Sequence, residues 1–382
     1  MSLGNDESVL DDPDALAAGD PGGMLRAVAT AGAQLRAGAL GASEADLATV
    51  VADGRPRSMV VTGMGGSGIT GDVVAAVGGP TCPVPLVAHR GYRLPGWVGP
   101  MDLVVAVSAS GRTEETLAVA DAALRRGCRL VTVGQAGSPL SERSAGGRAV
   151  HIAVDTGGRM PRTNLWALAV PVLILGDALG LMAVPADVLA AVADDLDRIS
   201  GECAPGVESY DNPAKRLAAE LSGTLPYVWG TSELAGVAAY RAFCQLAENA
   251  KHPSVWGVLP EAHHNQVVAF AGAFGTGSRE KDDDIFRDRV SDESARPRIR
   301  LLVLRDSEEL PEVARRRDAT MQLAEEYAVP AQELAASGEH PLARLASLVA
   351  PTDFASVYLA LLEGTDPTPI EPIDTLKASI AR

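Results

Sequence analysis

Two stretches of this chain share one plan: a β-rich run ends in small residues and passes at once into a helical pattern. In the first, SMVVTG (residues 58–63) meets the glycine-rich stretch GMGGSGITG (63–71), read as a loop, and DVVAAVGG follows as helix. In the second, DLVVAVSAS runs through GRT into EETLAVADAALRRG, and further β-like runs follow at RLVTVG and AVHIAV. Strands alternating with helices require crossover connections, so the expected sheet is parallel, with its loops gathered at the strand C-terminal ends. Before these units, GGMLRAVATAGAQLRAGAL (22–40) reads as an amphipathic leader helix.

The pattern pauses in GECAPGVESYDNP (201–213) and restarts with LPYVWG as strand, TSEL as polar loop and AGVAAYRAFCQLAENA as helix. RIRLLVLRD supplies another strand, QLAEEYAV a helix, and residues 341–364 a long helical, hairpin-like stretch. A length of 382 residues with 47% hydrophobic content suits two packed domains. The expected fold is therefore α/β, two doubly wound parallel-sheet domains, with residues 1–200 forming the first and 201–382 the second. The charged, apolar-poor segment 275–298 is expected to be an exposed loop.

A formal charge of −16 argues against nucleic acid or an anionic membrane as partner, since both are held by Lys and Arg neutralising phosphate. No apolar run reaches the roughly 18 residues of a membrane span, and the acidic N-terminus is unlike a signal peptide, so the expected location is cytoplasmic. Cys82, Cys128, Cys203 and Cys244 show neither CxxC nor metal-ligand spacing, which predicts buried free thiols and no metal.

Gly63, Gly65 and Gly68 have the G-x-G-x-x-G spacing of a dinucleotide loop, but the next strand ends in His89 and Arg90 rather than in an acidic residue for a ribose. No G-K-[ST] follows, which excludes a nucleoside triphosphate loop. Both loops do carry hydroxyls, Ser67 in one and Ser108, Ser110 and Thr113 in the other, beside helix N-termini where a phosphate monoester is favoured. The alternative is that Ser110 or Thr113 merely caps its helix, a contribution of ~1 kcal/mol.

Residues 245–266, QLAENAKHPSVWGVLPEAHHNQ, gather Glu248, Lys251, Glu261, His263 and His264 in a chain with only six histidines and four lysines. Pro253, Gly257 and Pro260 are positioned to turn the chain back and return His264 to Glu248, sixteen residues earlier. The competing reading is a solvated helix-end carboxylate.

The ordered set GMGGSG, S-x-S-G-x-T-E-E-T, M-P-R, E-N-A-K-x-P and P-E-x-x-H-N resembles the bifunctional phosphoglucose/phosphomannose isomerases, built from two sugar isomerase (SIS) domains. The resemblance implies an aldose–ketose isomerase that needs no cofactor, acts on a phosphorylated hexose and works as a homodimer with a shared site. It implies that Gly65, Gly66 and Ser67 lie against the sugar and that Ser108, Ser110 and Thr113 hold the phosphate. Glu248 corresponds to the base that moves a proton between C1 and C2, Arg162 to an arginine near the reacting carbons, and His264 with Lys377 to the ring-opening pair. His263 is expected to be structural, and Glu261 to orient His264.

Three features depart from the family pattern: Gln266 where many relatives have Glu, Ala109 and Arg112 in the second loop, and the length of the charged segment. Thr368, Ile370 and Thr375 are further candidates for the sugar region. Two alternatives share the fold, an amino-sugar phosphate isomerase and a non-catalytic sugar-phosphate sensor. The sensor would have no need of Glu248, His264 and Lys377 together, and this acidic chain carries no basic DNA-binding module.

Overall fold

A computed structural model describes residues 6–145, 149–275 and 297–380. Most of the charged segment, residues 276–296, therefore lies outside the described residues. The chain forms two compact units, one of Ala29–Arg198 with His340–Ala343, the other of Met1–Val28, Ile199–Glu339 and Arg344–Arg382.

The first unit is built on a five-stranded parallel sheet of β1 (Met59–Thr62), β2 (Leu86–His89), β3 (Leu103–Ser108), β4 (Arg129–Gly134) and β5 (Ala149–Ala153), in the order β2-β1-β3-β4-β5. Every residue of β1 and β3 is buried, as expected for central strands covered on both faces. Val60, Val104, Ala106 and Leu130 pack with Val119, Ala120 and Ala123 of the helix Glu114–Arg125 to make one core cluster. Because the order reverses between β1 and β3, the chain leaves these neighbours in opposite directions and a crevice opens at their C-terminal ends.

The second unit repeats the plan with β6 (Thr224–Gly230), β7 (Val255–Val258), β8 (Arg298–Arg305) and β9 (Ala331–Ala335), all parallel, in the order β7-β6-β8-β9. Its switch point lies between β6 and β8. Trp229 stacks on Phe270 with ring centroids 5.8 Å apart and anchors a core that includes Leu301, Val303, Val313 and Ala324. Residues of the N-terminal leader belong to this unit. Lys215, only 1% exposed, donates to Asp11 Oδ1 (3.2 Å), Pro205 O (2.9 Å) and Val207 O (2.7 Å), so one buried ammonium fastens the leader down.

Several elements differ from the sequence expectation. The leader stretch is two helices, Met24–Val28 and Ala31–Glu44. Residues 341–364 contain one continuous helix, Pro341–Leu362, rather than a hairpin; Pro351 sits inside it, and Thr352 Oγ1 bonds the carbonyls of Leu348 and Val349 one turn back. That helix is long and apolar enough to span a bilayer, contrary to the expectation of no such run, but its apolar window is 94% buried within the fold. Among the thiols, Cys128 and Cys203 are buried as expected, whereas Cys82 and Cys244 are only half-buried.

The largest difference is at the first glycine-rich stretch. The connection after β1 is only Gly63 and Met64, and the helix Gly65–Gly78 begins at once. Gly66 and Gly71 serve close packing, while Gly65 takes a φ of +52° at the helix start. A Cβ on Gly66 would lie 2.9 Å from Arg162 Cα, and one on Gly71 would lie 2.9 Å from Ala88 Cβ. Both distances fall inside van der Waals contact, so the helix reaches its neighbours only because these side chains are missing.

Candidate functional site

The two loops that flank the first switch point are joined directly. Ser67, in the first turn of the helix after β1, is buried, and its Oγ accepts a hydrogen bond from the Ala109 N–H at 3.2 Å. An accepted bond engages an oxygen lone pair and leaves the hydroxyl hydrogen available to donate. Across the crevice, Ser108 Oγ and Thr113 Oγ1 lie 3.0 Å apart. Thr113 occupies the N-cap position of the helix Glu114–Arg125 but makes no side-chain cap bond, so its hydroxyl is committed to the Ser108 pair and not to the helix end. Ser110 Oγ accepts from the Arg112 N–H at 3.3 Å, a local turn contact, and the Arg112 side chain is exposed.

Gly111 makes this loop possible. Its φ is +62°, and a Cβ there would run into the Ser138 side chain, so the tight turn between Ser110 and Arg112 accepts only glycine. Ala109, between Ser108 and Ser110, is 5% exposed.

Arg162 enters from the short 3₁₀ turn Pro161–Thr163 and is 2% exposed. Its backbone packs against Gly66, so the glycine helix and the arginine are held together within one unit. The turn is itself braced: Gln34 Nε2 donates to Thr163 O at 2.6 Å, and Asn164 Nδ2 donates to Met160 O at 3.0 Å. A guanidinium in so dry a place has a fixed direction and acts on charge through a low dielectric.

Arg90 directly follows β2. It donates to the Gly68 carbonyl at 3.3 Å and pairs with Asp72, binding the first turns of the glycine helix to the neighbouring strand. A cation fills the position where a dinucleotide loop wants a carboxylate.

Glu248 lies in the last turn of the helix Glu233–Asn249. That helix is anchored at two points to the long C-terminal helix: Arg241 makes a buried ion pair with Asp353 at 2.6 Å, and Asn249 Nδ2 donates to Ser356 Oγ at 2.9 Å. His252, just beyond, bonds Thr224 O (2.8 Å) and Glu363 Oε2 (3.1 Å). Burial opposes charge on this imidazole, but the Glu363 carboxylate outweighs it and raises the His252 pKa.

The structure does not return His264 to Glu248 within one chain. Residues 253–260, expected to be a turn, contain β7, which runs parallel to β6. Glu248 precedes this strand and His264 follows it, in the 3₁₀ helix Glu261–His264, so β7 stands between them and they leave it at opposite ends. His264 is exposed. His263 is part of the packing instead, bonded to Thr320 Oγ1 and set edge-on to Trp229, and burial lowers its pKa with help from Arg316 and His264. Glu261 accepts from Asn265 Nδ2 at 2.7 Å rather than from His264. Gln266 uses both ends of its amide, accepting from Trp229 Nε1 (2.7 Å) and donating to Trp256 O (3.0 Å).

Lys377 lies on the helix Glu371–Ile380, none of whose residues is buried. That helix also leaves Ile373, Leu376 and Ile380 exposed. Thr375 is exposed as well, whereas Ile370 and Thr368 are half-buried, Thr368 beside the leader, where it would clash with a Cβ on Gly22.

The second switch point has a different content. Asp306, directly after β8 and 3% exposed, accepts from Ser232 Oγ (2.7 Å) and Arg344 Nε (2.7 Å), and its own N–H donates to Thr231 Oγ1 (2.9 Å). The sequence signal was available, since Asp306 follows β8 as Ala109 follows β3, but only with the two sheets superposed. Among the described residues, no group of three or more His, Cys, Asp or Glu side chains is placed to hold a metal ion.

Comparison with known proteins matches residues 210–380 to the family described as "Bacterial phospho-glucose isomerase C-terminal SIS domain". The bifunctional phosphoglucose/phosphomannose isomerase of Caldicellulosiruptor bescii is 32% identical over 323 residues, 85% of this chain and 89% of that protein. That of Aquifex aeolicus is 28% identical, covering 85% and 91%. A solved glucose-6-phosphate isomerase from Chlamydia trachomatis superposes with a TM-score of 0.68 over 93% of this chain and 77% of that one, at 16% identity, a likeness of fold.

Proposed function

The chain belongs to the bifunctional phosphoglucose/phosphomannose isomerase family, and on that premise we propose that it interconverts glucose 6-phosphate and mannose 6-phosphate with fructose 6-phosphate through a cis-enediolate. The observation that carries the reading is the first switch point, where Ser67, Ser108 and Thr113 converge and Gly66 packs on the backbone of Arg162. Hydroxyls and helix N-termini suit a phosphate monoester, and a buried guanidinium suits an anion that appears only during reaction.

In this scheme Ser108, Ser110 and Thr113 hold the phosphate, and Gly65, Gly66 and Ser67 line the sugar. The ring opens when the anomeric hydroxyl gives up its proton and the ring oxygen gains one, a task suited to His264 and Lys377 near neutral pH. Glu248 then takes the C2 proton of the open aldose. Negative charge spreads over O1 and O2, where Arg162 stabilises it; the O2 hydroxyl proton passes to O1, and return of the carbon proton to C1 gives the ketose. The two aldoses differ only at C2, which is planar in the enediolate, so both lead to one product. Each positioned acid–base group contributes roughly 10²–10⁴-fold.

We further propose a homodimer in which His264 of a second copy completes the site. Two observations support it: β7 separates Glu248 from His264 within one chain, and the Lys377 helix leaves an apolar stripe in solvent. The deciding experiment is coupled turnover of both aldose phosphates by the wild type and by Glu248→Gln. Turnover that collapses in the variant supports the isomerase and its base. A folded protein that binds both sugars and turns over neither overturns it in favour of a sensor.

A further inference from the structure

Lys251 has an unusual backbone for a residue with a side chain. It follows the helix Glu233–Asn249 and the C-cap Ala250 with φ at +55°, a left-handed position that glycine or asparagine normally takes at a helix C-terminus. Its Nζ lies 3.2 Å from Glu248 O and 3.1 Å from Asn249 O, carbonyls at the end of the helix, where an ammonium also complements the helix dipole. The same Nζ lies 2.8 Å from Asp366 O and 3.3 Å from Pro367 O. Those carbonyls belong to the segment that leads into the helix Glu371–Ile380, which carries Lys377.

One ammonium thus ties the last turn of the Glu248 helix to the segment that precedes Lys377. Its other neighbours keep the tie short. Thr368 N–H donates to Asp366 Oδ1 at 2.9 Å, and Gly22 of the leader packs against the Thr368 side chain so closely that a Cβ would not fit. Backbone carbonyls only accept, so the junction depends on a side chain with several donors and no acceptor, which is what an ammonium provides.

We propose that Lys251 is a positioning residue, which sets the orientation of Glu248 and the course of residues 366–370 together through backbone carbonyls, without touching substrate. The proposal rests on the reading of Glu248 as the base. It predicts that the loss of the ammonium lowers kcat and leaves phosphate recognition intact.

The most direct variant is Lys251→Gly, because glycine adopts the left-handed backbone freely and keeps the helix end while removing the donors. The expected result is a kcat lower by about 10–100-fold. KM for glucose 6-phosphate and the inhibition constant of inorganic phosphate should stay within about twofold. Amide hydrogen exchange should accelerate in residues 246–252 and 364–370 together, and Lys251→Arg should recover at least about a third of the lost rate.

Full activity in Glu248→Gln overturns the base assignment and the role of Lys251 with it. Collapse of Glu248→Gln alongside an undiminished kcat in Lys251→Gly overturns the Lys251 role alone. So does a slower Lys251→Gly enzyme in which only one of the two segments exchanges faster, because the coupling would then be absent.

Discussion

Replacing Gly66 by alanine tests whether the glycine helix sets the position of Arg162. The added Cβ would lie 2.9 Å from Arg162 Cα, 3.0 Å from Pro161 O and 3.2 Å from Arg162 N. All three are backbone atoms, so no side-chain rotation relieves the contact. A comfortable carbon–carbon separation is about 3.5–4.0 Å, so the helix and the Pro161–Thr163 turn must part by about 0.6 Å or more. Arg162, at 2% exposure, has no room to swing back to its place. Overpacking of this kind costs about 1–3 kcal/mol and should lower the melting temperature by several degrees. A displacement of about 1 Å costs about 10²-fold in rate, so about 0.6 Å should cost roughly tenfold in kcat. The assay is steady-state turnover of glucose 6-phosphate and mannose 6-phosphate, with thermal denaturation and the inhibition constant of inorganic phosphate measured beside it. A fall in kcat with phosphate inhibition unchanged is expected. Wild-type kcat and melting temperature would refute the packing argument, and a raised KM with kcat intact would assign Gly66 to phosphate binding.

Three further outcomes follow from the geometry. Gln266→Glu keeps an acceptor for Trp229 but loses the donor to Trp256 O, a cost of about 1–3 kcal/mol; protonation restores the donor and raises the folded-state pKa, so denaturant midpoints should approach wild type near pH 4 and fall behind as pH rises. His252 gains a proton partner on folding, so its contribution is full below about pH 6.5 and is lost as pH rises through the higher folded value; urea midpoints of wild type and Glu363→Gln between pH 5.5 and 8.5 should differ most at the acid end, and parallel curves would exclude the linkage. Gly111→Ala places a side chain at φ +62° and against Ser138; left-handed backbone strain of about 1–2 kcal/mol relieved by loop distortion should weaken inorganic phosphate inhibition by about 5–30-fold, and an unchanged constant would remove this loop from phosphate binding.

The central strands were legible because their signal is local. β1 and β3 are buried, valine-rich runs, and each leads into a helix, β1 after two residues and β3 after five. The edge strands β7 and β9 were not, since VWGV is four residues between prolines and AQELA reads as helix by propensity. The stretch 63–71 reads as a loop for another reason: the partners of Gly66 and Gly71, Arg162 and Ala88, are distant in sequence, so the packing they require leaves no local signal. Likewise, proline and glycine around β7 suggested a reversal that would unite Glu248 with His264. The pairing of β7 with β6 decided otherwise, and pairing is a tertiary fact. The hydroxyl pair Ser108–Thr113 could be foreseen from spacing, but the burial of Arg162 could not.

Asp306 gives the two sheets different dependences on solution conditions. In the second unit a carboxylate already accepts the hydroxyl and guanidinium donors at the switch point, so that crevice is complete as folded. Among the described residues of the first unit, Ser67, Ser108 and Thr113 bond one another's loops and no carboxylate. An anion that binds there adds RT ln(1 + [L]/Kd) to stability, about 2.7 kcal/mol at a hundredfold excess over Kd, and adds it to that unit alone. Inorganic phosphate should therefore protect Ala29–Arg198 from unfolding and proteolysis while leaving the Asp306 half as resistant as before, so that two halves of like architecture respond unequally to the same ion.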